Sequence, residues 1–371
     1  MVYYIRFLKP PRFQKQKSGG LSVSTLLCIT TDLGDAFLAE DVDLLVKLSL
    51  HGTESVLYQE PVKWTAGKRE IAVTLGPFSP QLSQKPIVLS VAAGNHRKPS
   101  ARSPNHLLEK AGVPLVVPGW SAPFGGSESL VAEKLVERRF SPNDKLDLKI
   151  WEETGNSIAR HIWDAALASV IYLQRVVSGD PAVTAPLLRD LLQTDRSTPL
   201  RVIELGSGCG IVGIALAQLR PWTSVLLTDL PEVEEIVTQN VSVSTPAHSS
   251  TMDFQTLDWD EPLPEDLCNG SINLILVSDC TYNADSLPAL VSVLTQLVQK
   301  SPDSIVLVAL KRRHESESVF FDLMQTAGLF NLHTDYMQLP SQHDQVDQIE
   351  LHCYGRAERH STKPDQPITG C

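Results

Sequence analysis

The sequence has no apolar run of the roughly 20 residues that a membrane-spanning helix needs, so a helical membrane protein is not expected. Its first residues carry Arg6, Lys9, Arg12, Lys15 and Lys17 but no apolar stretch followed by a small-residue cleavage site, and a cytoplasmic or nuclear location is the default expectation. The six cysteines, Cys28, Cys209, Cys268, Cys280, Cys353 and Cys371, form no Cys-x-x-Cys pair and are not interleaved with histidines. Reduced thiols are therefore expected, with neither a disulfide framework nor a metal site. Positive charge is also short: 32 Lys and Arg face 43 Asp and Glu, a net charge of −11. That balance disfavours a broad nucleic-acid surface and suits a basic or lysine-presenting polypeptide as partner. No internal repeat is visible, and a length of 371 residues allows two or three domains.

The most informative run is Val202-Ile203-Glu204-Leu205-Gly206-Ser207-Gly208-Cys209-Gly210-Ile211-Val212-Gly213. It reads as a buried strand that breaks into a glycine turn and opens an apolar helix, a layout in which main chain approaches a ligand closely. Gly208-x-Gly210-x-x-Gly213 also satisfies the dinucleotide pattern. A pyrophosphate, however, would be repelled by Glu204 two residues before the first glycine, whereas a ligand carrying a cation would be attracted. The next strand, Ser224 to Asp229, ends in an acid suited to two ribose hydroxyls, and Asp229 also suits the cap of a helix starting near Pro231. A second continuous apolar strand, Ile272 to Val277, ends in Ser278-Asp279-Cys280-Thr281-Tyr282. Because ligands of open α/β sheets bind outside the carboxyl ends of strands, Glu204, Asp229 and Ser278-Asp279 are expected to converge on one crevice.

With these residues in view, the acidic strand end and Gly-x-Gly-x-Gly turn resemble the first motif of class I S-adenosylmethionine-dependent methyltransferases. Asp279-Cys280-Thr281-Tyr282 matches the Asp-x-x-Tyr motif of the seven-strand protein-lysine methyltransferases, methyltransferase family 16. Ile162-Trp163-Asp164-Ala165-Ala166 is similar to that family's Trp-Asp-Ala-Ala segment. The resemblance runs from about Leu146 to Tyr354. It implies a Rossmann-like α/β domain with a seven-strand, mostly parallel sheet, and S-adenosyl-L-methionine as cofactor. It further implies that Trp163, Gly206, Gly208, Asp229, Trp259 and Ser278 bind that cofactor, and Glu204 and Ser207 of the same strand end and turn are expected to join them. Trp163 would lie beside the methionine part, Asp229 on the ribose and Trp259 near the adenine, and flat aromatic rings suit both a sulfonium and a stacked base. Arg160-His161 depart from the small residues usual before the tryptophan, and Ser278 stands where alanine is commoner.

The implied reaction is an in-line displacement that needs donor and acceptor aligned, with no metal. A lysine acceptor must also lose a proton, which costs about 4 kcal/mol at neutral pH from a reference pKa near 10.4. Asp279 and Tyr282 are the expected catalytic pair, Asp279 accepting from the amine and Tyr282 lining its channel. Lys311-Arg312-Arg313, after the strand Ser304 to Leu310, reads as a solvated basic loop. Cys209 and Cys280 lie on ligand loops, but the sequence provides no histidine partner for a catalytic thiol.

The rest of the chain divides as follows. Residues 1–93 read as a smaller β-rich domain, with strands at Val2 to Leu8, Leu21 to Thr31, Val42 to Leu50, Ile71 to Leu75 and Pro86 to Ala92. Thr31-Asp32-Leu33-Gly34-Asp35 reads as a turn rather than a calcium loop. Residues 94–140 are expected to be a Pro, Gly and Ser rich linker with a lead-in helix from Glu128 to Arg139. The methyltransferase domain would span 141–356, ending in an antiparallel pair, Leu332 to Leu339 and Gln348 to Tyr354, and 357–371 would be a disordered tail. The expectation is a protein-lysine methyltransferase whose N-terminal domain helps to choose substrate. A methyltransferase of small molecules or other protein nitrogens, a non-catalytic cofactor-binding scaffold, and a nucleotide oxidoreductase are the alternatives.

Overall fold

The computed structural model describes residues 2–356 apart from positions 18, 54, 95–115, 144–145, 156, 196, 269–270, 314–316 and 340–346. The expected linker therefore lies partly, and the expected tail 357–371 wholly, outside the described residues.

Ten strands come first: β1 (Tyr3–Lys15), β2 (Leu21–Thr30), β3 (Val42–Leu50), β4 (Val56–Trp64), β5 (Ile71–Phe78), β6 (Ile87–Ala93), β7 (Val116–Val117), β8 (Gly119–Ser121), β9 (Leu135–Asn143) and β10 (Leu146–Glu153). They make a four-stranded sheet, β5-β2-β1-β7, and a six-stranded sheet, β10-β9-β8-β6-β3-β4. The alternation of β1 explains how they pack. Tyr3, Ile5 and Phe7 turn into a core shared with Val23, Leu27, Val46, Leu48, Leu89 and Val91, so the two sheets form a sandwich. Val2 and Tyr4, on the opposite face of the strand, join the core of the C-terminal half instead, together with Phe140, Leu148 and Ile150.

Two expectations change here. Glu128 to Arg139 is not a lead-in helix, because Leu135–Asn143 is the strand β9. Its Val136, Arg138 and Phe140 are all buried, a period of two disguised by a charged residue facing inward. Arg138 is fully enclosed and paired to Glu152 on β10 at 2.6 Å, while its Nη1 donates to the Pro118 carbonyl at 2.9 Å. Both partners are desolvated, and the guanidinium holds the Glu152 carboxyl well below the usual range against the opposing effect of burial. Strand β4 was not anticipated either. Pro61 obscures it, but β4 lies at the edge of the six-stranded sheet, where a missing N–H is tolerated.

The C-terminal half alternates helices and strands: α1 (Asp164–Ser178), α2 (Pro186–Gln193), β11 (Leu200–Leu205), α3 (Ile211–Leu219), β12 (Thr223–Asp229), α4 (Glu234–Val243), β13 (Thr251–Thr256), α5 (Glu265–Cys268), β14 (Leu274–Ser278), α6 (Leu287–Lys300), β15 (Ile305–Leu310), α7 (Ser318–Thr326), β16 (Phe330–Gln338) and β17 (Gln348–Gly355). The strands form one seven-stranded sheet in the order β13-β12-β11-β14-β15-β17-β16. Neighbours are parallel from β13 to β15, and β17 is antiparallel to both β15 and β16. This is the expected Rossmann-like sheet with its terminal antiparallel pair. Residues of α1 to α4 cover one face and α5 to α7 the other. That burial on both faces is why β14 and β15 read as unbroken apolar runs. Strand order reverses between β11 and β14, and the crevice at their carboxyl ends is the place where this topology opens for a ligand.

Candidate active site

Glu204 lies near the end of β11, is 2% exposed, and accepts the Gly213 N–H at 2.7 Å. Burial pushes its carboxyl up to about 8, with Asp229 adding to the rise and the Gly213 bond opposing it. Gly213 sits on the first turn of α3 with no room for more: a Cβ there would meet Leu227 at 2.5 Å and Glu204 at 2.6 Å. The turn between β11 and α3 is left-handed at Gly206, φ 65°, where a Cβ would lie 2.6 Å from the Cys280 sulfur and 3.3 Å from the Trp259 ring. A glycine is therefore required twice over, by backbone angle and by space. Asp229 closes β12. Its Oδ2 accepts the Gly208 N–H and its Oδ1 the Leu230 N–H, both at 2.7 Å, so the capping contact and an approach to the cleft coexist.

The second wall comes from β14 and the start of α1. Ser278 exchanges a 2.8 Å hydrogen bond with Ser169 of α1. Asp279 follows in left-handed backbone, φ 58°, its N–H bonded to the Ala309 carbonyl at 2.8 Å. Such a conformation is uncommon for a side-chain-bearing residue and is retained here by that bond and by what holds its carboxylate. Arg313 grips Asp279 with both guanidinium arms, Nη1 to Oδ1 and Nη2 to Oδ2 at 2.8 Å each. Tyr282 is 55% exposed at the rim. Trp163 precedes α1, its indole N–H donating to the Ile158 carbonyl at 3.2 Å and its ring 5.4 Å from the Arg313 guanidinium carbon.

These elements enclose one cleft of about 290 Å³. Trp163, Glu204, Gly206, Ser207, Gly208, Asp229, Trp259, Ser278, Asp279 and Tyr282, all ten residues expected from the sequence, line it. Ile158, Leu230 and Leu257 add apolar wall that single-sequence reading did not single out, and Glu232 and Asp260 add acid at the mouth. Cys209 and Cys280 are both buried, and burial raises their thiols well above the ordinary value, which leaves them protonated. No group of metal-ligating side chains occurs among the described residues.

The basic segment after β15 departs from expectation. Lys311 and Arg313 are largely buried, and Arg312 alone retains substantial exposure, paired with Glu350 at 2.9 Å. Lys311 donates to Asp164 at 3.0 Å, while Arg313 reaches Asp32 of the β2–β3 loop at 3.0 Å as well as Asp279. The segment is a largely buried ion-pair network because acids more than 30 residues away in sequence meet it: Asp164 and Asp347 at Lys311, Glu350 at Arg312, and Asp32 and Asp279 at Arg313. Arg160, too, is committed elsewhere, paired with Glu153 and Glu235.

The sheet and the cleft at its switch point are those of a Rossmann-like S-adenosylmethionine-dependent methyltransferase. The chain belongs to the lysine methyltransferase family, whose model matches residues 142–327, half of its length. It is 31% identical over 188 residues to the protein N-lysine methyltransferase METTL21A of Danio rerio, covering 50% of this chain and 75% of that one. The calmodulin-lysine N-methyltransferase of Arabidopsis thaliana is 27% identical over 145 residues, covering 38% and 47%. The UPF0665 family protein C23C4.06c of Schizosaccharomyces pombe is 28% identical over 330 residues, 86% of this chain and 91% of the relative. That last span exceeds the family match by enough to include much of the N-terminal sandwich. The methyl donor is S-adenosyl-L-methionine, and the cleft fits it: the Ser207 hydroxyl, on the glycine turn that lines the cleft, is buried with no partner.

Proposed function

We propose that this lysine methyltransferase acts on a protein side chain, with Asp279 and Tyr282 as its acceptor site. Asp279 accepts a hydrogen bond from the incoming amine and turns its lone pair toward the donor. Tyr282, exposed at the rim, lines the channel through which the side chain enters. The cofactor supplies a transferable methyl on a sulfonium centre. Around it, Asp229 takes the ribose hydroxyls, Trp259 and Leu257 the adenine, Trp163 the methionine portion, and Glu204 the α-ammonium. Gly206, Ser207, Gly208 and Ser278 form the contact surface beneath. The cleft also favours loss of the lysine proton, since a second cation beside a sulfonium in a water-poor pocket is disfavoured.

The observation that carries this reading is that Asp279 and Tyr282 line the same cleft as the glycine turn after β11. Glu232, Asp258 and Asp260 stand exposed around that cleft, which suits a lysine embedded in basic sequence. We assign the strands of the N-terminal half to a domain that contributes to acceptor choice. The test is transfer of labelled methyl into a cell extract, followed by mass-spectrometric mapping of the modified residue. Asp279→Ala is expected to abolish transfer with S-adenosylhomocysteine binding retained, and a fully active variant would remove Asp279 from the site. Label on a small molecule and on no protein would favour the alternative acceptor class.

A further inference from the structure

We propose that the N-terminal sandwich completes the acceptor end of the cleft: Asp32 holds Arg313, and Arg313 fixes the carboxylate of Asp279 in position. Both are positioning residues, and the inference rests on Asp279 being the acceptor-site carboxylate.

The geometry is a chain of charge. Arg313 spans the gap between the two acids, taking both oxygens of Asp279 and, through Nη2, the Oδ2 of Asp32. Asp32 is itself fixed from three sides. Its Oδ1 accepts the Leu33 N–H at 2.8 Å, its Oδ2 the Asp164 N–H at 3.3 Å, and its carbonyl the Arg6 Nη2 at 2.8 Å. Asp32 is 4% exposed and Asp279 6%. A planar guanidinium bonded in fork geometry locks the torsion of a carboxylate in a way that a single bond does not. The lock matters because Asp279 sits on a one-residue left-handed step between β14 and Tyr282, where, among the described residues, its carboxylate is held otherwise only by the Lys311 N–H at 3.5 Å.

The Arg313 charge also opposes the protonation of Asp279. Burial, the largest effect, leaves that carboxyl above its ordinary value and Asp32 adds to the rise, whereas the Arg313 bonds and charge and the Lys311 N–H limit it. A carboxylate that must accept a hydrogen bond from an amine has to stay ionised, so the cation is needed. That desolvated guanidinium has a second acid partner, and it comes from the sandwich. The same sandwich supplies a second contact: the Tyr4 hydroxyl donates to Asp164, the residue after Trp163, at 2.8 Å.

The test uses the full chain and four proteins: wild type, Asp32→Asn, Arg313→Lys and Arg313→Met. Expected for Asp32→Asn, which keeps shape and removes charge, is a fall of five-fold or more in kcat with S-adenosylhomocysteine affinity within two-fold of wild type. Arg313→Met should lose at least 50-fold and move the acid limb of the kcat profile to higher pH, and Arg313→Lys should recover part of both. Wild-type turnover and an unmoved profile in Asp32→Asn and Arg313→Met would overturn the proposal. So would parallel loss of turnover, cofactor affinity and melting temperature, which marks an ordinary structural bridge. If wild type labels no protein at all, the acceptor reading fails by itself. The clamp is then read by carbon-13 NMR of the Asp279 carboxyl, whose midpoint must rise in Arg313→Met; an unchanged midpoint overturns it.

Discussion

Raising the pH from 6 to 7 should tighten the binding of S-adenosylmethionine and of S-adenosylhomocysteine about nine-fold, and Glu204→Gln should abolish that dependence. The argument begins with a carboxyl that is 2% exposed, carries a single hydrogen bond, and is pushed up to about 8 chiefly by burial. Near neutrality the ligand-free protein therefore holds a proton there. A ligand bearing an α-ammonium against this group stabilises the charged form, so the proton must leave on binding. If the bound-state value returns to the ordinary range near 4.3, the penalty at pH 6 is about 2.7 kcal/mol and at pH 7 about 1.4 kcal/mol, a ratio near nine. Below pH 7 the ligand's own α-amino group, titrating near 7.7–8.0, stays charged and does not blur the effect. Folding obeys the same linkage with the opposite sense. A carboxyl raised in the folded state stabilises it fully below the unfolded pKa and loses that contribution as pH climbs through about 8. The ligand-free protein should accordingly melt lower at pH 8 than at pH 6, and bound cofactor should flatten the difference. Calorimetry at pH 6.0, 6.5 and 7.0 in buffers of different ionisation enthalpy counts the released proton directly. Affinity independent of pH, or an identical slope in Glu204→Gln, would refute the reasoning.

Three further outcomes follow from the same geometry. Gly206→Ala forces a Cβ against the Cys280 sulfur in a left-handed backbone, which costs about 1–2 kcal/mol before any clash; calorimetry should show cofactor affinity reduced at least ten-fold while the fold, read by circular dichroism, survives. Asp229→Asn should weaken cofactor binding by about 10- to 100-fold, the worth of one or two hydrogen bonds to a charged acceptor, and unchanged affinity would leave Asp229 only its bonds to Gly208 and Leu230. Arg138→Leu takes the guanidinium from a fully buried Glu152 and should cost about 3–5 kcal/mol in denaturant unfolding, while Arg138→Leu with Glu152→Leu, which frees the Ile162 N–H, should regain only part of it.

Much of the cofactor end was legible because its determinants are local. A continuous apolar strand ending in an acid and a glycine turn is one stretch of chain, and β11, β12 and β14 each carry their functional residue within a step or two of the strand end. At the acceptor end proposed here, the sequence singles out only Asp279 and Tyr282. Its remaining members hid behind a correct general rule applied in the wrong place. Lys311-Arg312-Arg313 looks like surface, and single-sequence reasoning has no means of seeing that Asp32 and Asp164, 281 and 147 residues away from their partners, meet it. Arg138 hid β9 in the same way, since an inward arginine breaks the apolar alternation on which strand assignment depends. Thr31-Asp32-Leu33-Gly34-Asp35 was correctly read as a turn, with the Thr31 hydroxyl bonded to Asp35 at 2.7 Å, yet the turn's use lies in where it points Asp32.

The two ends of the cleft thus depend on different parts of the molecule. The cofactor end needs strand ends within one sheet, and a Rossmann-like domain provides those wherever strand order reverses. The acceptor end needs a carboxylate that is buried, ionised and rigid at once, three conditions that oppose one another, since burial removes charge. A guanidinium opposes that loss but brings its own desolvation, and two nearby acids are already bonded to other groups: Asp164 accepts from Lys311 and Tyr4, and Glu350 from Arg312 and His352. The balancing acid comes from the sandwich, whose β1 already shares a core with α1 through Val2 and Tyr4. Apolar packing holds the two parts together, and that packing brings Asp32 within bonding distance of Arg313.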